Sequence, residues 1–211
     1  GRAAPPLRLA GVEGQAPMSP VSPWTTSELE AQLRVFGIRR ILRARVLLAS
    51  YHRQGHAKWI NLSLVLATAS RESGISNTVG DYGHGRGAWQ QDDRWNTGFL
   101  RTHPGCRDGE WNPCPRRHKA ITADHVPTLR DGMLRFLQDL DEHRGYGIAY
   151  KVASRDLARF ALASYNAGPG SALSGYRHGS VDRYTANGDY SADTMRRAAF
   201  MHQWLRRRGI R

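Results

Sequence analysis

From Ser27 onward, apolar residues recur at helical spacing. Leu29, Leu33, Phe36, Ile41, Val46 and Leu47 predict a helix running to about Tyr51, with Ser27 and Glu30 at capping-box separation and Gly37 as a point of bending or interruption. Asn61 can cap a second helix, in which Leu62, Val65, Leu66 and Ala69 share a face until Gly74 ends it. Thr128 caps a third, whose stripe of Leu129, Met133, Phe136, Leu137 and Leu140 extends to a stop at Gly145. A fourth begins near Ser154, carries Leu157, Phe160, Ala161 and Ser164, and stops at Gly168-Pro169. A fifth spans about Ser191 to Gly209, with Met195, Ala199, His202 and Leu205 along one side. No long alternating strand and no internal repeat interrupts this pattern, so the fold class is mostly α.

Between the helices the pattern fails in two places. Asn77 to Gly87 is too rich in glycine for regular helix, and predicts a loop or a small β-hairpin; Asp92 to Pro127 has turn residues and little periodicity, and reads mainly as loop. Five of the ten prolines lie between Pro5 and Pro23, which makes residues 1–25 a linker-like arm and residues 26–211 the folded domain. With 211 residues and 40% hydrophobic content, the chain can bury one generous core without staples. The longest uncharged, largely apolar run, Trp59 to Ser70, has 12 residues, short of the roughly 20 a membrane-spanning helix needs. No signal peptide is visible at the start.

Charge adds a partner class. A net charge of +13 predicts attraction to polyanions, whether nucleic acid, anionic lipid or the acidic polymers of a bacterial wall. Arginine outnumbers lysine 28 to 3, a bias that fits a GC-rich coding genome. The cations are dispersed and no nucleic-acid-binding motif accompanies them, so no specific nucleic-acid partner is expected.

Three segments carry the candidate chemistry: Ser70-Arg71-Glu72-Ser73-Gly74, then Gly80-Asp81-Tyr82-Gly83-His84-Gly85-Arg86-Gly87-Ala88-Trp89-Gln90-Gln91-Asp92, then Ala163-Ser164-Tyr165-Asn166-Ala167-Gly168. In this order and at these separations they make the chain resemble the goose-type lysozymes and the related lytic transglycosylases. The resemblance extends through Asp189-Tyr190-Ser191-Ala192 and the last helix, covering about Leu62 to Ile210. It departs locally, with Ala88-Trp89 where the family usually has Leu-Met and Ser164 where Ala is usual. The fold it implies is a lysozyme-like helical domain with a glycine-rich active-site loop. The implied activity is cleavage of the β-1,4 bond between N-acetylmuramic acid and N-acetylglucosamine in peptidoglycan, without a cofactor.

The residues support this chemistry in their own right. Glu72, near a helix C-terminus, faces the negative end of the helix dipole, which disfavours ionisation and suits a general acid; the bland alternative is an ion pair with Arg71 or another arginine on a solvated face. An inverting glycosidase needs a second carboxylate roughly 6.5–9.5 Å from the acid to hold a water. The resemblance gives that role to Asp81 and Asp92, each of which could instead stabilise a turn beside glycine. Gly85 and Gly87 suit backbone open to a bulky ligand, and Gln90 suits sugar hydroxyls and N-acetyl groups. Trp89 could present a face to a pyranose ring or pack in the core. In the family the turn holding Tyr165 and Asn166 lines the cleft opposite the acid, whereas plain helix termination would explain only the glycine that follows.

No metal site is expected, because His84, His103, His118 and His125 match no zinc spacing with Cys106 and Cys114. If the cysteines pair, they close a nine-residue loop, worth about 2–3 kcal/mol. An inverting muramidase is favoured because both aspartates accompany the glutamate. The alternatives are a lytic transglycosylase forming 1,6-anhydro ends and a non-catalytic wall-binding structural protein. The combined expectation is a monomeric catalytic module, with or without an attached domain, acting at the bacterial cell wall. A phage endolysin or virion-associated lysin fits the arginine bias and the linker, and a secreted lysozyme is the runner-up.

Overall fold

The computed structural model describes residues 24–103, 111, 121–123 and 125–210; Cys106, Cys114, His118 and almost all of the proline-rich arm lie outside them. The described residues are mostly helical, with one small sheet.

The first apolar pattern becomes two helices, α1 (Thr26–Phe36) and α2 (Ile38–Arg53). The capping box is Thr25 with Glu28, not Ser27 with Glu30: the Thr25 hydroxyl accepts from the Glu28 N–H, and the Glu28 carboxylate accepts from the Thr25 N–H. Gly37 separates the helices at φ +87°, a conformation open to a residue without Cβ. Trp24, assigned to the arm from sequence, docks instead on the domain, its indole N–H donating to Asp193 at 2.7 Å.

The second helix follows the expectation: α3 (Leu62–Ser73) is capped by Asn61 and ends at left-handed Gly74. Every residue from Leu62 to Ser70 is buried, so α3 is enclosed on all sides. Three two-residue strands follow, β1 (Val79–Gly80), β2 (Gly85–Arg86) and β3 (Gln91–Asp92). They form an antiparallel sheet in which Gly80 faces Gly85 and Gly85 faces Asp92. A short helix, α4 (Thr97–Thr102), occupies part of the stretch read as loop.

The third helix, α5 (Leu129–Ala149), runs past Gly145. Its last turn is held by close packing, since a Cβ on Gly147 would lie 2.9 Å from Leu157 and Phe160. Gly168 ends α6 (Leu157–Ala167), but Pro169 opens another helix, α7 (Pro169–Arg177), which the sequence pattern missed. Proline at a first helical position loses no hydrogen bond and already has the right φ.

The last helix, α8 (Tyr190–Arg207), turns a different face inward from the one expected: Met195, Ala199 and His202 are exposed, while Tyr190, Thr194, Arg197, Ala198, Met201, Trp204 and Leu205 are buried. The inward face is partly polar, which hid it from a hydrophobic pattern. Its polar groups are satisfied locally, with Arg197 Nε on Asp193 at 2.8 Å and Arg197 Nη1 on the Ser70 hydroxyl at 2.9 Å. α8 packs along α3, and α6 contacts α5, α7 and α8. The end of α3 therefore lies against α8, with the sheet segment bonded to it through Ser73 and Ala88.

Candidate active site

Glu72 sits in the last turn of α3, where its residue keeps limited exposure while its carboxyl is desolvated. Burial pushes its pKa up to about 7, against the lowering effects of a hydrogen bond from Tyr190 and the charge of Arg71; the charge of Asp81 adds to the rise. The Tyr190 hydroxyl donates directly to Glu72 Oε1. Arg71 does not pair with it: the guanidinium reaches Asp189 at 3.3 Å and Asp193 at 3.4 Å, and lies over the Tyr190 ring. Among the described residues none forms an ion pair with Glu72, so the bland explanation of this glutamate fails. A second buried carboxyl, Asp139, is pushed up to about 6 by burial, but Arg135 holds it at 2.8 Å.

The rest of the first motif ties the glycine-rich segment to the helices. The Ser73 hydroxyl donates to the Ala88 carbonyl at 2.8 Å, and Ser70 donates to Gln32 of α1 at 2.6 Å. From the other side the Tyr165 hydroxyl donates to the Trp89 carbonyl at 2.5 Å and accepts from Gln91 Nε2 at 3.0 Å. Burial raises the Tyr165 phenol well above its usual range, and the nearby Glu72 charge adds to this. The third motif thus brings Tyr165 to the side of the acid. Asn166 turns outward, where its Oδ1 accepts from the Ala186 N–H at 2.8 Å.

Asp81 and Asp92 share one cation. Arg94 Nη2 lies 3.1 Å from Asp81 Oδ2, and Arg94 Nε lies 2.9 Å from Asp92 Oδ1. Asp92 also accepts from the Arg94 backbone N–H at 2.8 Å, so it does stabilise a turn. Asp81 and Tyr82 both hold left-handed backbone, at φ +47° and +52°. Such conformations cost on the order of 1–3 kcal/mol for ordinary side chains and cluster at functional sites.

Three sequence assignments need correction, those of Trp89, Gly85 and Gly87. Trp89 is 1% exposed, donates its indole N–H to the Val65 carbonyl at 3.1 Å and stacks on Phe136, so it packs in the core and offers no face to a sugar. Gly85 and Gly87 are buried: an added Cβ would meet Gln90 Oε1 at 2.1 Å in the first case and Pro127 at 3.0 Å in the second. These glycines let the hairpin pack on itself and on the segment before α5, not on a ligand. Gln90 lies over the sheet, with its amide nitrogen donating to the Gly87 carbonyl at 2.7 Å and the Thr78 carbonyl at 3.3 Å.

Sequence reasoning missed Tyr190, Gln91, Arg94 and the exposed aromatic residues Tyr82 and Trp95. Tyr190 lay within the resembling segment Asp189-Tyr190-Ser191-Ala192, which was the signal available for it. Trp95 is the aromatic surface beside Arg94 that Trp89 is not. No three or more His, Cys, Asp or Glu side chains converge on a metal-sized site among the described residues. No family model matches the chain, and no curated protein matches it in sequence.

Proposed function

We propose that the chain is a peptidoglycan-cleaving glycosidase, a muramidase of the lysozyme-like kind, with Glu72 as its general acid. The observation that carries this is a desolvated glutamate at a helix end, free of any described ion pair, whose pKa of about 7 keeps about half of it protonated at neutral pH. Glu72 donates its proton to the glycosidic oxygen between N-acetylmuramic acid and N-acetylglucosamine as the bond breaks. The Tyr190 hydroxyl then hydrogen-bonds the carboxylate left behind. Asp81 and Asp92, held together by Arg94, orient the attacking water on the opposite face of the sugar, as inversion requires.

One observation favours a second route. Both aspartates give oxygens to Arg94, which occupies acceptor positions an attacking water would need and leaves room for attack at C1 by the substrate's own N-acetyl oxygen and then by its C6 hydroxyl, ending in a 1,6-anhydro product. The site of action is the bacterial wall and the source a phage-type lysin, consistent with the +13 charge and the arginine bias. Mass spectrometry of muropeptides released from purified walls tests the proposal. Reducing ends identify the hydrolase and anhydro ends the transglycosylase. No released muropeptide overturns it in favour of a non-catalytic wall-binding protein, and equal release by wild type and Glu72→Gln overturns Glu72 as the general acid.

A further inference from the structure

α2 carries two apolar stripes. One, formed by Ile41, Ala44, Leu48 and Tyr51, is buried in the core. The other lies in solvent: Ile38, Leu42 and Val46 are 47%, 41% and 67% exposed, with Val35 of α1 nearby in sequence at 82%. At helical spacing Ile38, Leu42, Val46 and Ala49 fall within an arc of about 80°. Arg45 flanks that arc on one side, Arg39 and Arg43 flank it on the other, and Arg53 continues it at the C-terminal end; all four are exposed. α2 contains no acidic residue, and among the described residues these arginines form no ion pair. The arginines around the candidate site, by contrast, are engaged: Arg71, Arg86, Arg94 and Arg197 all face carboxylates. At Ile38 the stripe meets a depression of about 480 Å³, also lined by Leu33, Arg34, Trp204 and Arg208.

We propose that this face docks on an anionic lipid bilayer, with the outer stripe of α2 at the acyl boundary and its arginines on headgroup phosphates. The chemistry selects that occupant. A bilayer surface supplies both a negative layer and an apolar one behind it, matching a cation-flanked apolar stripe. A soluble polyanion would neutralise the arginines but leave the stripe in water. A second copy meeting this one through the same patch would set arginine rows against each other, with no carboxylate on α2 to offset them. The first 23 residues carry one acid, Glu13, against Arg2 and Arg8, and offer no complementary charge. The proposal is independent of the glycosidase activity.

The test is co-sedimentation of the full chain with vesicles at about 0.15 M salt. Vesicles containing phosphatidylglycerol should retain the protein at least tenfold more strongly than vesicles of phosphatidylcholine alone. Combining Arg39→Gln, Arg43→Gln and Arg45→Gln should weaken retention on the order of 100-fold, since each basic residue near an anionic surface contributes about fivefold. Val35→Ser with Val46→Ser, which leaves charge unchanged, should weaken it about tenfold. Both sites are solvent-exposed, and matching thermal melts confirm that the variants fold. No retention, or equal retention on both vesicle types, overturns the proposal. Retention that ignores the valine pair marks a purely electrostatic site for soluble polyanions and overturns it too. So does a dimer in sedimentation velocity that the valine pair abolishes while vesicle retention is unaffected.

Discussion

The helical frame and the hairpin treat their carboxylates in opposite ways. Glu72, at the end of a helix enclosed on every side, has no ionic partner among the described residues, and burial raises its pKa to about 7. Asp81 and Asp92, on the hairpin a short distance along the chain, are more open to water and bound to the same arginine. Environment, not residue type, thus separates a desolvated carboxyl with a raised pKa from a pair of carboxyls held by one arginine. The frame also anchors the hairpin, through Ser73 to Ala88 and Tyr165 to Trp89, so the two regions hold a fixed relation.

The contrast is tested most severely at Glu72. Glu72→Gln should reduce wall lysis by on the order of 100- to 10,000-fold, the usual contribution of a general acid; residual activity above about a tenth would assign the proton donor elsewhere. The same variant has a stability signature. Because the folded state raises the Glu72 pKa from 4.5 to about 7, the folded protein binds this proton more tightly than the unfolded chain. The stabilisation is complete below about pH 4.5 and is lost as pH rises to about 7, a loss of about 3 kcal/mol. Glutamine has no such loss. Denaturant unfolding at pH 5 and pH 8 should therefore show the variant gaining on the wild type at the higher pH.

Trp89 and Trp95 give the next largest difference. Trp89→Ala should cost about 3–5 kcal/mol by emptying a core site. Trp95→Ala should alter stability by less than about 0.5 kcal/mol, while raising KM on chitooligosaccharides if its exposed ring carries a sugar. Comparable melting losses for the two would mean that the turn after β3, which holds Trp95, is packed as firmly as the core around Trp89.

Asp81→Asn combined with Asp92→Asn should reduce hydrolysis by on the order of tenfold or more and increase the anhydro fraction of the products, since Glu72 can still protonate the leaving oxygen. Melting should change little, because exposed ion pairs contribute about 1 kcal/mol or less. Unchanged hydrolysis with only reducing ends would leave the two aspartates as turn residues. The smallest effect belongs to Tyr190→Phe. Its hydroxyl lowers the Glu72 pKa, so removing it should shift the alkaline limb of the activity profile to higher pH. A shift in the other direction would mean that the hydroxyl supports the protonated acid.

Much of the frame was legible because its signals are local. Asn61 and Thr128 cap helices through bonds to residues three positions on, Gly74 ends α3 in left-handed backbone, and the Glu72 position at a helix end follows from those two boundaries. The glycine-rich segment likewise declared itself non-helical through residues that are neighbours in sequence. Helix continuation was less legible: α5 passes Gly145 because its last turn packs on Leu157 and Phe160, and Pro169 starts α7 because the residue that stops one helix also suits the first position of the next.

What the sequence determined alone was the helical class, the central helix with its terminal glutamate, and the order of the three motifs. Only the tertiary structure decided that Trp89 is core and Trp95 surface, that Gly85 and Gly87 serve internal packing, that α8 turns a partly polar face inward, and that Tyr190 reaches an acid 118 residues away. Periodicity and capping depend on a few residues in a row. Desolvation and hydrogen bonds between elements depend on atoms that only the completed fold brings together.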